Sequence, residues 1–87
     1  MFGAILKLQT IDECYAFFED LCTMRELKDI SQRLEVAGLL DQGLNYQEVA
    51  RRTGVSSTTI GRVKRCLDYG SGGYRLVIDR MGEKDAP

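Results

Sequence analysis

The sequence predicts an all-α protein, and three observations lead there. At three places a threonine or asparagine is followed three residues later by glutamate and then by apolar residues at helical spacing: Thr10 with Glu13, Thr23 with Glu26, and Asn45 with Glu48. The single proline is the last residue, Pro87, so nothing ahead of it forbids a helix. The one segment of ambiguous period, "YRLVIDRM", finds no partner strand elsewhere in the chain.

Taken in order, the opening "MFGAILKLQT" holds a short apolar run. It is too brief to span a membrane and lacks the basic flank and cleavage site of a leader. The hydroxyl of Thr10 can accept an orphan amide while Glu13 reaches back, which starts a helix at Ile11 that runs to about Leu21. Ile11, Tyr15, Phe18 and Cys22 line one stripe of it, and Cys14, Phe17 and Leu21 a second. That apolar surface is wider than one contact needs in a small monomer. The next helix follows Thr23 to about Gln42, with Leu27, Ile30, Leu34, Ala37 and Leu40 on its face and Val36 and Leu39 widening it. Gly43 suits the left-handed residue that closes a helix.

Asn45 caps a third helix that ends at Thr53-Gly54, and Ser56 caps a fourth that reaches about Leu67. Leu44 and Val49, and again Val55 and Ile60, are spaced as hydrophobic staples. "DYGSGG" breaks the fourth helix. Tyr74, Val77, Ile78 and Met81 then fall at i, i+3, i+4 and i+7, giving a last helix over 73–81 before a frayed "GEKDAP".

At 87 residues the chain is expected to be one domain. A chain of this size buries only about 60–65% of its unfolded surface. With 44% hydrophobic residues it is too apolar for disorder, so a compact core or a partner subunit must cover that surface. Cys14, Cys22 and Cys66 show no metal spacing and histidine is absent, which predicts reduced, buried thiols in a cytoplasmic protein with no metal and no cofactor.

The net charge of −1 hides an uneven distribution. Residues 1–44 carry four Lys/Arg against eight Asp/Glu, or −4. Residues 45–67 carry Arg51, Arg52, Arg62, Lys64 and Arg65 against Glu48 alone, or +4. Residues from Asp68 on carry three against four, or −1. A local basic face on an acidic body is what phosphate binding needs.

The basic segment is also the one with the most specific pattern. Val49, Ala50, Gly54, Val55, Ile60 and Val63 stand at the offsets of a helix-turn-helix. Ala50 is small where the two helices approach, Gly54 supplies positive φ at the turn, and the four larger residues fix the crossing. On the outward face, Ser56, Ser57 and Thr58 open the second helix with short polar groups, and Gly61 one turn later holds nothing off a surface. Lys64 and Arg65 follow at one end, with Arg51 and Arg52 closing the first helix. Small groups at the centre and cations at the margins fit a DNA groove between its phosphates. No bidentate reader of guanine stands at the helix start, so modest direct readout is expected, with DNA shape and water contributing.

"LEVAGLLDQGLNYQEVARRTGVSSTTIGRVKRCLDYG" resembles the Trp repressor superfamily. "SQRLEVAGLL", "TTIGRVKRCL" and "GGYRLVIDR" are similar to its YerC/YecD branch of Trp-repressor-related proteins, and the likeness covers about residues 10–80. The resemblance implies an intertwined helical homodimer, with dimerisation helices over 10–42, the helix-turn-helix over 45–67 and the C-terminal helix over 73–81. It implies a sequence-specific transcriptional regulator, a repressor that reads a palindromic operator in double-stranded DNA. The corresponding DNA-facing positions are Gln47, Ala50, Ser57, Thr58 and Gly61.

Thr59 and Arg62 match the family's effector-binding threonine and arginine, while the opposite arginine falls at Gln32, a glycine at Val63 and a serine at Cys66. These three departures speak against tryptophan and leave the identity of any small-molecule co-repressor open. Arg62 fits a phosphate contact or an intersubunit ion pair better than a ligand. A helix-turn-helix that only binds another protein is the alternative. Catalysis is not expected: histidine is absent, and "YGSGGY" lacks the strand-to-helix setting of a phosphate loop.

Overall fold

The computed structural model describes residues 1–82, so the predicted frayed end lies, from residue 83, outside the described residues. Six helices and no strand occur among them: α1 (Phe2–Ile5), α2 (Ile11–Leu21), α3 (Met24–Asp41), α4 (Tyr46–Thr53), α5 (Ser57–Tyr69) and α6 (Gly73–Gly82). The protein is all-α, as its capping residues predicted. The chain forms two compact units, Met1–Ile30 and the residues from Ser31 on, with the boundary falling inside α3.

In the first unit, α1 is a single turn that the sequence did not announce, because no side chain caps it at Met1. Thr10 caps α2 by accepting the Glu13 amide at 3.0 Å. The Glu13 carboxylate reaches one residue further back than expected and accepts the Gln9 amide at 2.9 Å. Extended backbone at Cys22 ends the helix. The Thr23–Glu26 pair is fully reciprocal: the Thr23 amide donates to Glu26 Oε1 at 2.8 Å, and the Glu26 amide donates to Thr23 Oγ1 at 3.1 Å. Hydrogen bonding to the carboxylate by the Thr23 amide first, and by the Thr23 side chain second, holds the Glu26 carboxyl below its ordinary pKa. No residue of α1 or α2 is fully buried. Phe17 and Phe18 are half-buried, their rings edge to face at 5.5 Å, while Ile11 and Tyr15 of the predicted stripe stay exposed.

The second unit carries the core. Val36, Ala37 and Leu40 of α3 meet Val49 of α4 and Ile60 and Val63 of α5, and all six are buried. Leu39, Leu44, Ala50, Val55, Leu67, Tyr74 and Ile78 pack around them. Spacings of three and four residues on α3 and three on α5 present one stripe from each helix, as a 3.6-residue period requires. A Schellman turn closes α3: Gly43, at φ 92°, donates to Leu40, and Leu44 donates to Leu39. α5 continues to Tyr69, two residues past the expected end.

Of the predicted stripe on α6, Tyr74 and Ile78 pack against the core, whereas Val77 and Met81 remain exposed. Exposed ion pairs add to this packing, Arg75 reaching Asp41 at the end of α3 at 2.6 Å and Asp79 on its own helix at 3.3 Å.

Ile60 is wholly buried and touches the stripes of the other helices, so Ile60→Ala removes methyl groups from a site that can collapse only partly. We expect the variant to lose about 2–5 kcal/mol of unfolding free energy in urea titration, against a few tenths for Ser57→Ala on the outer face of the same helix.

Candidate nucleic-acid interface

Local hydrogen bonds shape the α4–α5 hairpin before any packing is considered. Asn45 Oδ1 accepts the Glu48 amide at 2.9 Å and starts α4. Gly54 stands at φ 72°, where a Cβ would be strained, and its amide donates to Ala50 at 2.8 Å. Thr53 locks the turn from inside: its hydroxyl donates to the Val49 carbonyl at 2.8 Å and accepts the Val55 amide at 3.2 Å. This role was missed in the sequence, where a threonine just before the turn glycine was the available signal. Ser56 then caps α5, accepting the Thr59 amide at 3.3 Å, while the two hydroxyls pair at 3.2 Å. Val49, Ile60 and Val63 lie beneath this frame in the core.

The predicted interface residues therefore fall into distinct groups. Gln47, Ser57 and Thr58 are exposed, and among the described residues their side chains make no hydrogen bond. Ser56 is exposed too, but its hydroxyl is engaged at the cap. Ala50 is half-buried and packs toward the core, which leaves it little surface to offer. Gly61 is half-buried on α5, and a methyl group there would meet no atom of the protein within 4 Å. A glycine inside a helix costs about 1 kcal/mol relative to alanine, and no internal contact demands it here.

The five cations divide as sharply. Glu48 forms a fork: its carboxylate takes the Nε of Arg51 at 3.1 Å together with the terminal Nη2, and its Oε1 also takes the Nε of Arg52 at 3.1 Å. Lys64 pairs with Asp68 one turn on at 3.3 Å. Arg62 and Arg65 are exposed and have no ion-pair partner among the described residues. Sequence charge counted all five alike; the helix geometry leaves two of them uncommitted.

Residues 1–82 match the family of the Trp repressor protein. The chain belongs to the Trp repressor family. It is 47% identical to YerC of Bacillus subtilis (strain 168), an uncharacterized protein, over 98% of this chain and 82% of that one. Two solved members have the same fold. A TrpR like protein from Eubacterium eligens ATCC 27750 superposes at a TM-score of 0.90 with 47% identity, covering 98% of this chain and 88% of that one. A candidate Trp repressor from Staphylococcus aureus superposes at 0.90 with 45% identity, covering 98% and 85%.

The residues at the positions that the resemblance ties to an effector sit in different surroundings. Val63 is buried in the core, Thr59 Oγ1 accepts from the Ser56 hydroxyl, and Cys66 is exposed. Gln32 is half-buried on α3. No helix among the described residues is long and apolar enough to cross a membrane.

The fork holds the Glu48 carboxyl down from its ordinary 4.5 to about 2, chiefly through the hydrogen bonds from Arg51 and then Arg52. A depressed folded-state pKa means that the stabilisation is present above 4.5 and fades as pH falls toward 2. Carbon-detected NMR titration of the side-chain carboxyls should find the Glu48 midpoint at about 2, and Arg51→Gln should move it up toward 4.5.

Proposed function

We propose that this chain is a DNA-binding transcriptional regulator, a repressor that binds a palindromic operator as a homodimer through α4 and α5. The observation that carries the proposal is the outer face of α5. Two uncommitted guanidinium groups, Arg62 and Arg65, lie on the same helix as free polar tips at Ser57 and Thr58 and the unfilled surface at Gly61. The core beneath holds that helix in place. Free cations supply sequence-independent attraction to phosphate, and short side chains let the backbone of a helix come close to base edges.

Membership of the Trp repressor family supports the same reading. In this proposal Gln47, Ser57, Thr58 and Gly61 face the groove, Arg62 and Arg65 meet phosphates, and Ser56, Thr59 and Thr53 hold the frame. Arg51, Arg52 and Lys64 stand at the margin, each in a carboxylate pair.

The homodimer is supported by apolar side chains that one subunit leaves in water. In the first unit these include Ile11, Tyr15, Leu21 and Met24, each at least half exposed. In the second, α3 and α6 border a groove of about 530 Å³ lined by Leu34, Gly38, Ile78 and Met81 among others. A partner subunit is the economical cover for such surface in so small a chain.

Equilibrium binding to duplex DNA, measured against salt with sedimentation as a check on assembly, tests the function. Affinity should fall steeply as salt rises, with a slope of about 0.9 for each phosphate contacted. A folded dimer that binds no duplex at low salt would defeat the proposal and favour a hairpin that docks on protein. Gly61→Ala separates the two further. It should raise thermal stability by about 0.5–1 kcal/mol through helix propensity, yet weaken DNA binding, because the methyl group projects from the outer face.

A further inference from the structure

On α4 a single carboxylate, Glu48, holds two of the hairpin's five cations. Arg51 and Arg52 are the two cations at the end of the first helix of the hairpin, and one carboxylate holds both, through three nitrogen–oxygen contacts. Asn45 fixes the start of that turn by accepting the Glu48 amide, so the glutamate backbone does not wander. All three side chains are accessible to solvent, at 69% and 52% for the arginines and 33% for the glutamate. A phosphate could therefore reach them.

We propose that Glu48 is an internal competitor for phosphate, which suppresses attachment of α4 to DNA of arbitrary sequence; the inference rests on the DNA-binding function proposed above. Carboxylate and phosphate ask for the same geometry from a guanidinium, two parallel N–H donors to two oxygens. For Arg51 or Arg52 to take a phosphate, it must give up part of the fork, and the Glu48 charge is then left beside a second anion. At Arg62 and Arg65 no such exchange is needed, since no carboxylate of the described residues pairs with them.

Sequence-independent affinity is the sum of such phosphate contacts. Removing two of them from that sum lowers binding to random duplex, where phosphate contacts supply essentially all of the affinity. Weakening the unwanted complex is one of the two ways specificity can be built. The segment's charge of +4 thus overstates its grip on DNA.

Glu48→Gln keeps the side-chain length and the amide that Asn45 accepts, and removes the charge. Binding of wild type and variant to a random-sequence duplex is measured across a salt series, with a thermal melt of each. The variant should bind about three- to tenfold tighter, with a slope steeper by about 1–2 per protomer. A variant that binds no better than wild type, with an unchanged slope, overturns the inference and leaves the DNA-binding function standing. A folded wild type that binds no duplex at any salt overturns that function, and the inference with it.

Guanidinium NMR of the wild type reads the same question should the variant not fold. Random duplex should shift the Nε–H signals of Arg62 and Arg65 and leave those of Arg51 and Arg52 in place. Shifts of comparable size at all four would contradict the proposal.

Discussion

Everything on the outer face of the second unit depends on one buried contact, the meeting of Val36, Ala37 and Leu40 with Val49, Ile60 and Val63. These six residues are the whole of the fully buried apolar core among the described residues. Val49 commits α4, and Ile60 and Val63 commit α5, to the same patch of α3. Because each helix offers only one stripe, committing it fixes which residues look outward. Ser57, Thr58, Gly61 and Arg65 are free to meet a partner because Ile60 and Val63 are not. The hydrogen bonds of Thr53 and the left-handed Gly54 set the angle of the turn, but packing chooses the face.

Charge on this frame is sorted by helix geometry rather than by composition. Carboxylates three or four residues away capture Arg51, Arg52 and Lys64 along their own helices, spacings at which side chains become neighbours. Exposed pairs of this kind add little to stability. They also leave Arg62 and Arg65 as the cations of the segment without a carboxylate partner among the described residues. On the proposed function that division makes α5 the gripping helix and α4 a restrained one. The Arg75–Asp41 pair uses the same chemistry for a structural end, tying α6 to the end of α3.

Much of this was legible in the sequence, for reasons that can be named. Caps are local, so Thr10, Thr23, Asn45 and Ser56 marked helix starts that the structure keeps, and Gly43 and Gly54 marked two ends. The helix-turn-helix was legible because its packing residues lie within fifteen positions of one another. What escaped depended on geometry that spacing alone does not carry. α1 has no capping side chain to announce it. On α6 the periodicity of Tyr74, Val77, Ile78 and Met81 was right for a helix, but it did not say that Val77 and Met81 would stay exposed. The site was legible by residue type and less so by state. Ala50 at the helix approach and Ser56 at the cap were both read from the sequence, and the structure keeps them there, whereas the pairing of Glu48 with Arg51 and Arg52, though at helical spacing, was passed over when the cations were counted.

The central claim is that the buried stripe of α5 holds its opposite stripe ready, so that a partner engages a surface already formed. Amide hydrogen exchange of the protein with and without saturating duplex DNA tests it most directly. New protection should concentrate on the first two turns of α5 and the turn before it, while amides at Val36, Val49, Ile60 and Val63 are slow in both states. Protection that instead settles on α6, or core amides that exchange fast until DNA is added, would contradict the account.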